Sequence, residues 1–178
     1  MKKKGLCAFA ALLLLAACAS QPDTELSDTN IKYETWSAEK LFNLLPDEAR
    51  MAVCDFNAEA QVLDSTSSSY SECGSQIMTY EGKHGYILKD NTTECQSIGR
   101  SDDMVYYDKK GLPVLHFIQR YLPATDMTMQ VLVLFENGAY KNAFSRSAYG
   151  RELNQLAVAE FSTYEPMLSE DKVEPYEK

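Results

Sequence analysis

The sequence predicts an α+β fold: an antiparallel β-meander of five to six strands flanked by N-terminal helices and a C-terminal helix. Two periodicities and a set of turn signals carry that expectation. Apolar residues recur at helical spacing near both ends, at Leu45, Ala49, Ala52, Val53, Phe56, Ala60 and Leu63, and again at Leu153, Leu156, Ala157, Phe161 and Tyr164. Between residues 76 and 146 large apolar residues alternate with polar ones, and short Gly-containing turns cut the alternation into strand-sized pieces.

The chain opens on Met1-Lys2-Lys3-Lys4 and then runs through twelve apolar residues, Leu6 to Ala17. A charged start before a short apolar run is the pattern of a secretory signal, and it falls short of the roughly 20 apolar residues that a bilayer-spanning helix needs. Leu15-Ala16-Ala17-Cys18 resembles the lipobox of bacterial lipoproteins. The resemblance covers residues 1 to 19. It implies that residues 1–17 are a signal peptide cut before Cys18, whose sulfur carries a diacylglycerol. Two or more acyl signals hold a protein stably on a bilayer. The family's sorting pattern in Gram-negative cells retains in the inner membrane a lipoprotein whose cysteine is followed by aspartate. Ala19 follows here, which implies a lipid-anchored, periplasm-facing protein of the outer membrane. The competing reading takes Ala17-Cys18-Ala19 as the A-x-A site of ordinary signal peptidase, which would release the chain.

Residues 18–34 are read as the lipidated cysteine and a flexible tether, because "ASQPDTELSDTNIKYE" holds too few apolar groups to offset ordering. A single domain is expected over 35–166. Ser37 is a good N-cap for a first helix carrying Leu41, Phe42, Leu44 and Leu45, and Pro46 stops it or starts the next, with Asp47 and Glu48 in the first turn. The spacing predicts a helix over 46–63. Serine-rich "DSTSSSYSE", 64–72, is expected to be a loop. Strands follow around the turns "GKHG", "DKKG" and "ENGA"; Asn137-Gly138 is the strongest short hairpin signal. "LPVLHFIQRYL" is apolar on both faces and is expected to be central. Met127, Met129, Val131, Val133 and Phe135 alternate with Thr128, Gln130 and Glu136 and predict a half-exposed strand. Ser101-Asp102-Asp103 is read as a loop before a strand. The last helix is expected to end near Pro166, and 167–178 to be a loose polar tail.

Cys7 leaves with the signal and Cys18 is taken by lipid, so Cys54, Cys73 and Cys95 remain in an oxidising compartment. In a hairpin centred on His84, residues equally distant on either side are opposed, and Cys73 and Cys95 both lie eleven positions from it. A Cys73–Cys95 disulfide is therefore expected, stabilising the fold by about 3 kcal/mol and leaving Cys54 over. The alternative is a shorter hairpin in which Cys54 takes one of the two partners.

"ECGSQ" at 72–76 resembles the cysteine-glycine-serine opening of papain-like proteases over those three residues alone, without the following cysteine and aromatic or a distant histidine. Cys73 is thus read as structural. His84 and His116 lie in no zinc-ligand spacing and are read as a turn residue and a strand residue. No nucleophile elbow or phosphate-cradling glycine loop is present in the sequence. The expectation is no metal, no cofactor and no catalytic residues.

Removing Lys2, Lys3 and Lys4 with the signal leaves 14 basic against 26 acidic residues, a formal charge of −12. That excludes the basic footprint needed for nucleic acid. The acid is concentrated outside 76–146, where basic and acidic residues number eight each. Tyr80, Tyr86, Tyr106, Tyr107, Tyr121 and Tyr140 all fall on expected strands. Tyrosine combines a rigid apolar face with a polar tip and suits protein contacts. The sequence therefore points to a non-catalytic protein-binding lipoprotein that captures a basic partner through exposed strand tyrosines, with Tyr106 and Tyr107 the first candidates; because they are adjacent on a strand, only one of the two can lie on the binding face. The alternatives are an inhibitor or immunity lipoprotein against lysozyme or a delivered toxin, and a cell-envelope hydrolase.

Overall fold

The computed structural model describes residues 41–56, 60–150, 156, 159–167 and 170–177. Its elements are α1 (Asp47–Asp55), β1 (Gln61–Tyr70), β2 (Cys73–Glu81), β3 (Ile87–Cys95), β4 (Gly99–Tyr107), β5 (Pro113–Leu122), β6 (Met127–Glu136), β7 (Ala139–Tyr149) and the short β8 (Ser162–Thr163). All eight strands join one antiparallel sheet, and each pairs with its sequence neighbour. The turns between β1 and β7 are too short for anything but antiparallel neighbours. Asn137 and Gly138 both take positive φ, 53° and 78°, the conformation that an Asn-Gly hairpin turn requires.

This corrects the expected α+β fold. The molecule is an eight-stranded meander with two short helical stretches among the described residues, 41–44 and α1. The helix expected over 46–63 stops at Asp55, and Val62 and Leu63 belong to β1. The expected serine-rich loop continues that strand to Tyr70. Side-chain pattern misses β1 because no buried face defines it. All ten residues are exposed, and backbone pairing to β2 holds the strand in place. At the other end β8 occupies Ser162–Thr163, so the expected C-terminal helix does not reach Tyr164. Most of the rest of that helix, together with the signal, Cys18 and the tether, lies outside the described residues.

Register distributes the core over the two faces. Tyr80, Leu88, Tyr106, Leu115 and Leu134 stand opposite one another across β2 to β6. Ala49, Ala52, Val53 and Phe56 of α1 pack on that row together with Leu41 and Leu45. Phe56 meets the Tyr106 ring edge-on, with centroids 5.8 Å apart. On the other face Ile118, Val131, Val133, Phe135 and Ala143 form a second cluster, covered by Tyr164 and Val173. Each large apolar side chain so buried stabilises the fold by roughly 1.5–3 kcal/mol. β5 is central, as its sequence predicts. β6 is not half-exposed: Thr128 and Gln130 are 3% and 2% exposed, because both faces of the sheet are covered here.

The β2–β3 register runs from Glu81 opposite Ile87 to Cys73 opposite Cys95, which is the pairing centred on His84. Cys73 and Cys95 form a disulfide with their Cα atoms 4.1 Å apart. Cys54, on α1, is itself disulfide-bonded, which corrects the expectation that it is left over.

Candidate binding cleft

Tyr106 and Tyr107 are adjacent on β4 and point to opposite faces, yet both are buried, at 2% and 5% exposure. Neither is the exposed contact residue that the sequence suggested. Tyr106 is enclosed beneath Phe56, and burial together with the charge of Asp90 raises its phenol well above its ordinary range. Tyr107 packs against Tyr176, with ring centroids 5.7 Å apart; burial and that neighbour raise its phenol too. Among the described residues, the tyrosines that do lie open are Tyr70, Tyr140 and Tyr149.

Tyr176 belongs to residues 170–177, which are docked on the sheet and are not the loose tail expected. Its backbone N–H donates to the Gly111 carbonyl at 2.8 Å. Gly111 sits at φ 84°, and a Cβ there would strike the Tyr176 carbonyl, so glycine is required twice over. Further along, the Glu170 carboxylate accepts from Arg120 Nη1 at 2.8 Å, from the Tyr164 hydroxyl at 3.0 Å and from the Met167 N–H at 3.0 Å. Only 6% of Glu170 is exposed.

Between this strap and the sheet lies an open cleft of about 690 Å³, walled by Lys89, Asn91, Asp103, Tyr107, His116 and the strap's 172–177. Asp103 and His116 reach one another because Val105, two residues beyond Asp103 on the same face, is paired with His116. His116 Nε2 lies 3.1 Å from Asp103 Oδ1, and Nδ1 lies 3.0 Å from the Glu170 carbonyl. Both partners are acceptors, so both bonds form together only from the imidazolium. The Ser101 hydroxyl donates to the other Asp103 oxygen at 3.0 Å. Burial acts to raise the Asp103 carboxyl, but the bonds from His116 and Ser101 and the charges of His116 and Arg120 outweigh it and hold it below the usual carboxylate range. The cleft thus sets an ionised carboxylate, paired with His116, beside the Tyr107–Tyr176 aromatic wall, with Lys89, Lys172, Glu174 and Glu177 also on its rim. Asp102 and Asp103 lie within β4 and not in a loop, with Asp102 on the opposite face gripped by Arg100 at 2.7 Å.

His84 sits in the β2–β3 turn, as its sequence predicts, with Nδ1 2.5 Å from Asp55 Oδ1. Asp55 also accepts from the backbone N–H of His84 and of Tyr86. On the α1 face, Gln130 donates to Gln119 at 2.7 Å and accepts from Arg146 Nε at 2.8 Å, and the Arg146 guanidinium lies 4.5 Å from the Phe161 ring centroid. Sequence reading missed these groups and the Asp103–His116 pair, since each depends on strand register.

No protein-family model, curated protein or solved structure matches the chain.

Proposed function

We propose that this chain is an acylated, periplasm-facing outer-membrane lipoprotein whose sheet is a non-catalytic protein-binding module, and that the strap cleft receives a basic segment of its partner. The cleft supports this reading. Its volume falls in the range of ligand-sized sites, and it joins the ionised Asp103 to the Tyr107–Tyr176 wall. The charge of −12 on the mature chain would steer a basic partner toward it, with association weakening as salt rises.

The anchor is tested by labelled palmitate, which enters the wild-type chain and not Cys18→Ser. One sulfur serves one covalent partner, so a peptide map that finds Cys18 in a disulfide, or unmodified chain in the medium, overturns the anchor.

Capture is tested with the full chain in detergent, incubated with envelope extract at low salt. Asp103→Asn and Tyr176→Ala should each weaken retention of the partner about tenfold, the factor that about 1.4 kcal/mol supplies. If both variants hold the partner like wild type, the cleft is not the binding site. Should nothing be captured while the pure protein cleaves an envelope substrate, the hydrolase reading replaces this one.

A further inference from the structure

The edge of the sheet formed by β1 carries a second inference, independent of the cleft. β1 runs ten residues with every one exposed; no proline or lysine interrupts it, and its one bulge, between Val62 and Asp64, leaves the stretch from Asp64 to Tyr70 regular. The opposite edge is partly closed, since β7 pairs with β8 at Phe144 and Ser145. Three of the eight large apolar side chains exposed among the described residues, Val62, Leu63 and Tyr70, lie on this one strand. Asp64 is its only charge, in a chain that is otherwise strongly acidic.

The backbone direction follows from the disulfide pair. A Cα separation of 4.1 Å marks Cys73 and Cys95 as a non-hydrogen-bonded pair, so Cys73 turns its N–H and C=O toward β1, where Tyr70 is opposite. Alternation along β1 then turns the N–H and C=O of Ser69, Ser67 and Ser65 away from β2, into solvent.

We infer that β1 pairs antiparallel with β1 of a second copy, about a two-fold axis at Thr66, continuing the sheet across two molecules. In this register the outward groups of Ser65 and Ser67 meet those of Ser67 and Ser65 in the second copy. Thr66 faces its own equivalent. A bulge between Val62 and Asp64 ends the regular alternation, so the shared ladder runs from Asp64 to Ser68, and beyond it the exposed Tyr70 of each copy lies near the apolar Val62–Leu63 end of the other. Each Asp64 faces Ser68 rather than the other Asp64. A second copy is the occupant because the strand is complementary to itself: apolar at both ends and hydroxyl-bearing between. Its single charge also keeps repulsion low where two acidic molecules meet.

The test is oxidative cross-linking of the full-length chain in its membrane. Thr66→Cys sits on the axis in a non-hydrogen-bonded pair, where Cβ atoms are close enough for a disulfide, and should give a reducible dimer band. Adding Ser67→Pro removes an outward donor while sparing the β1–β2 ladder, and the band should be lost. Tyr70→Cys, off the axis, should give no cross-linked dimer band. Sedimentation of the detergent-solubilised wild type and of Ser67→Pro reads the same equilibrium without a new cysteine, and the mass should fall from two copies to one. A monomeric Thr66→Cys, equal cross-linking at Tyr70→Cys, a wild type that sediments as one copy, or a band containing a different protein overturns the inference.

Discussion

Asp55→Ala should unfold at distinctly lower denaturant, with a loss of about 3 kcal/mol. The Asp55 side chain is 1% exposed and accepts from His84 N–H at 2.9 Å, from His84 Nδ1 and from the buried Tyr86 N–H at 3.3 Å. Removing the carboxylate leaves the Tyr86 donor without its acceptor in a place water does not reach, and hydrogen bonds to a charged acceptor are each worth roughly 1.5–3 kcal/mol. The effect is more than local, because this contact ties the C-terminal end of α1 to the β2–β3 turn. Gly82 confirms how close the two approach: a Cβ there would strike the Asp55 carboxylate, so Gly82→Ala should destabilise in the same direction. Equilibrium urea unfolding at pH 7 checks both. Should Asp55→Ala unfold with the wild-type midpoint, the carboxylate does not hold helix and turn together.

Asp90→Asn should act in the opposite sense and raise stability at neutral pH by as much as about 3 kcal/mol. Asp90 is 5% exposed, and one of its carboxylate oxygens is buried with no hydrogen-bond partner. Burial, with the neighbouring Asp102 adding to it, pushes its carboxyl up from 3.8 to about 6. A group whose pKa is raised by folding binds its proton more tightly in the folded state. Its contribution is therefore intact below about pH 4, where both states are protonated, and is lost as pH rises to about 6. Above that the folded protein holds a buried charge. Asparagine stays neutral throughout, so the gap between variant and wild type should open between pH 4 and 6 and level off beyond. Thermal melts across pH 3 to 8 read it. A gap that is constant with pH would show that the substitution acts through packing.

Much of this molecule is written in short-range signals. The β2–β3 hairpin is legible because "GKHG" fixes a turn around His84 and no bulge interrupts the ladder, so counting outward from His84 reaches Cys73 and Cys95 correctly. The Asn137-Gly138 turn, the central β5 and the start of α1 after Pro46 are legible for the same reason: each depends on a few adjacent residues. The Asp103–His116 pair is different. Counting from the "DKKG" turn, Tyr107 opposite Pro113 would place His116 opposite Met104, on the α1 face and away from Asp103. A bulge between Tyr106 and Tyr107 shifts the register by one, and one residue of slip moves every side chain to the other face.

By itself, then, the sequence determined the acidic balance, the hairpin turns and the Cys73–Cys95 pairing, all of which follow from composition or from counting along an unbroken ladder. Tertiary structure alone decided that Ser65 to Ser69 form a strand, since that strand gains its place from the backbone of β2 and buries no side chain. It also decided which tyrosines are covered. Tyr106 is sealed by Phe56 of the segment following α1 and Tyr107 by Tyr176 near the C-terminus, and a strand's own alternation carries no record of what distant chain will lie on either face.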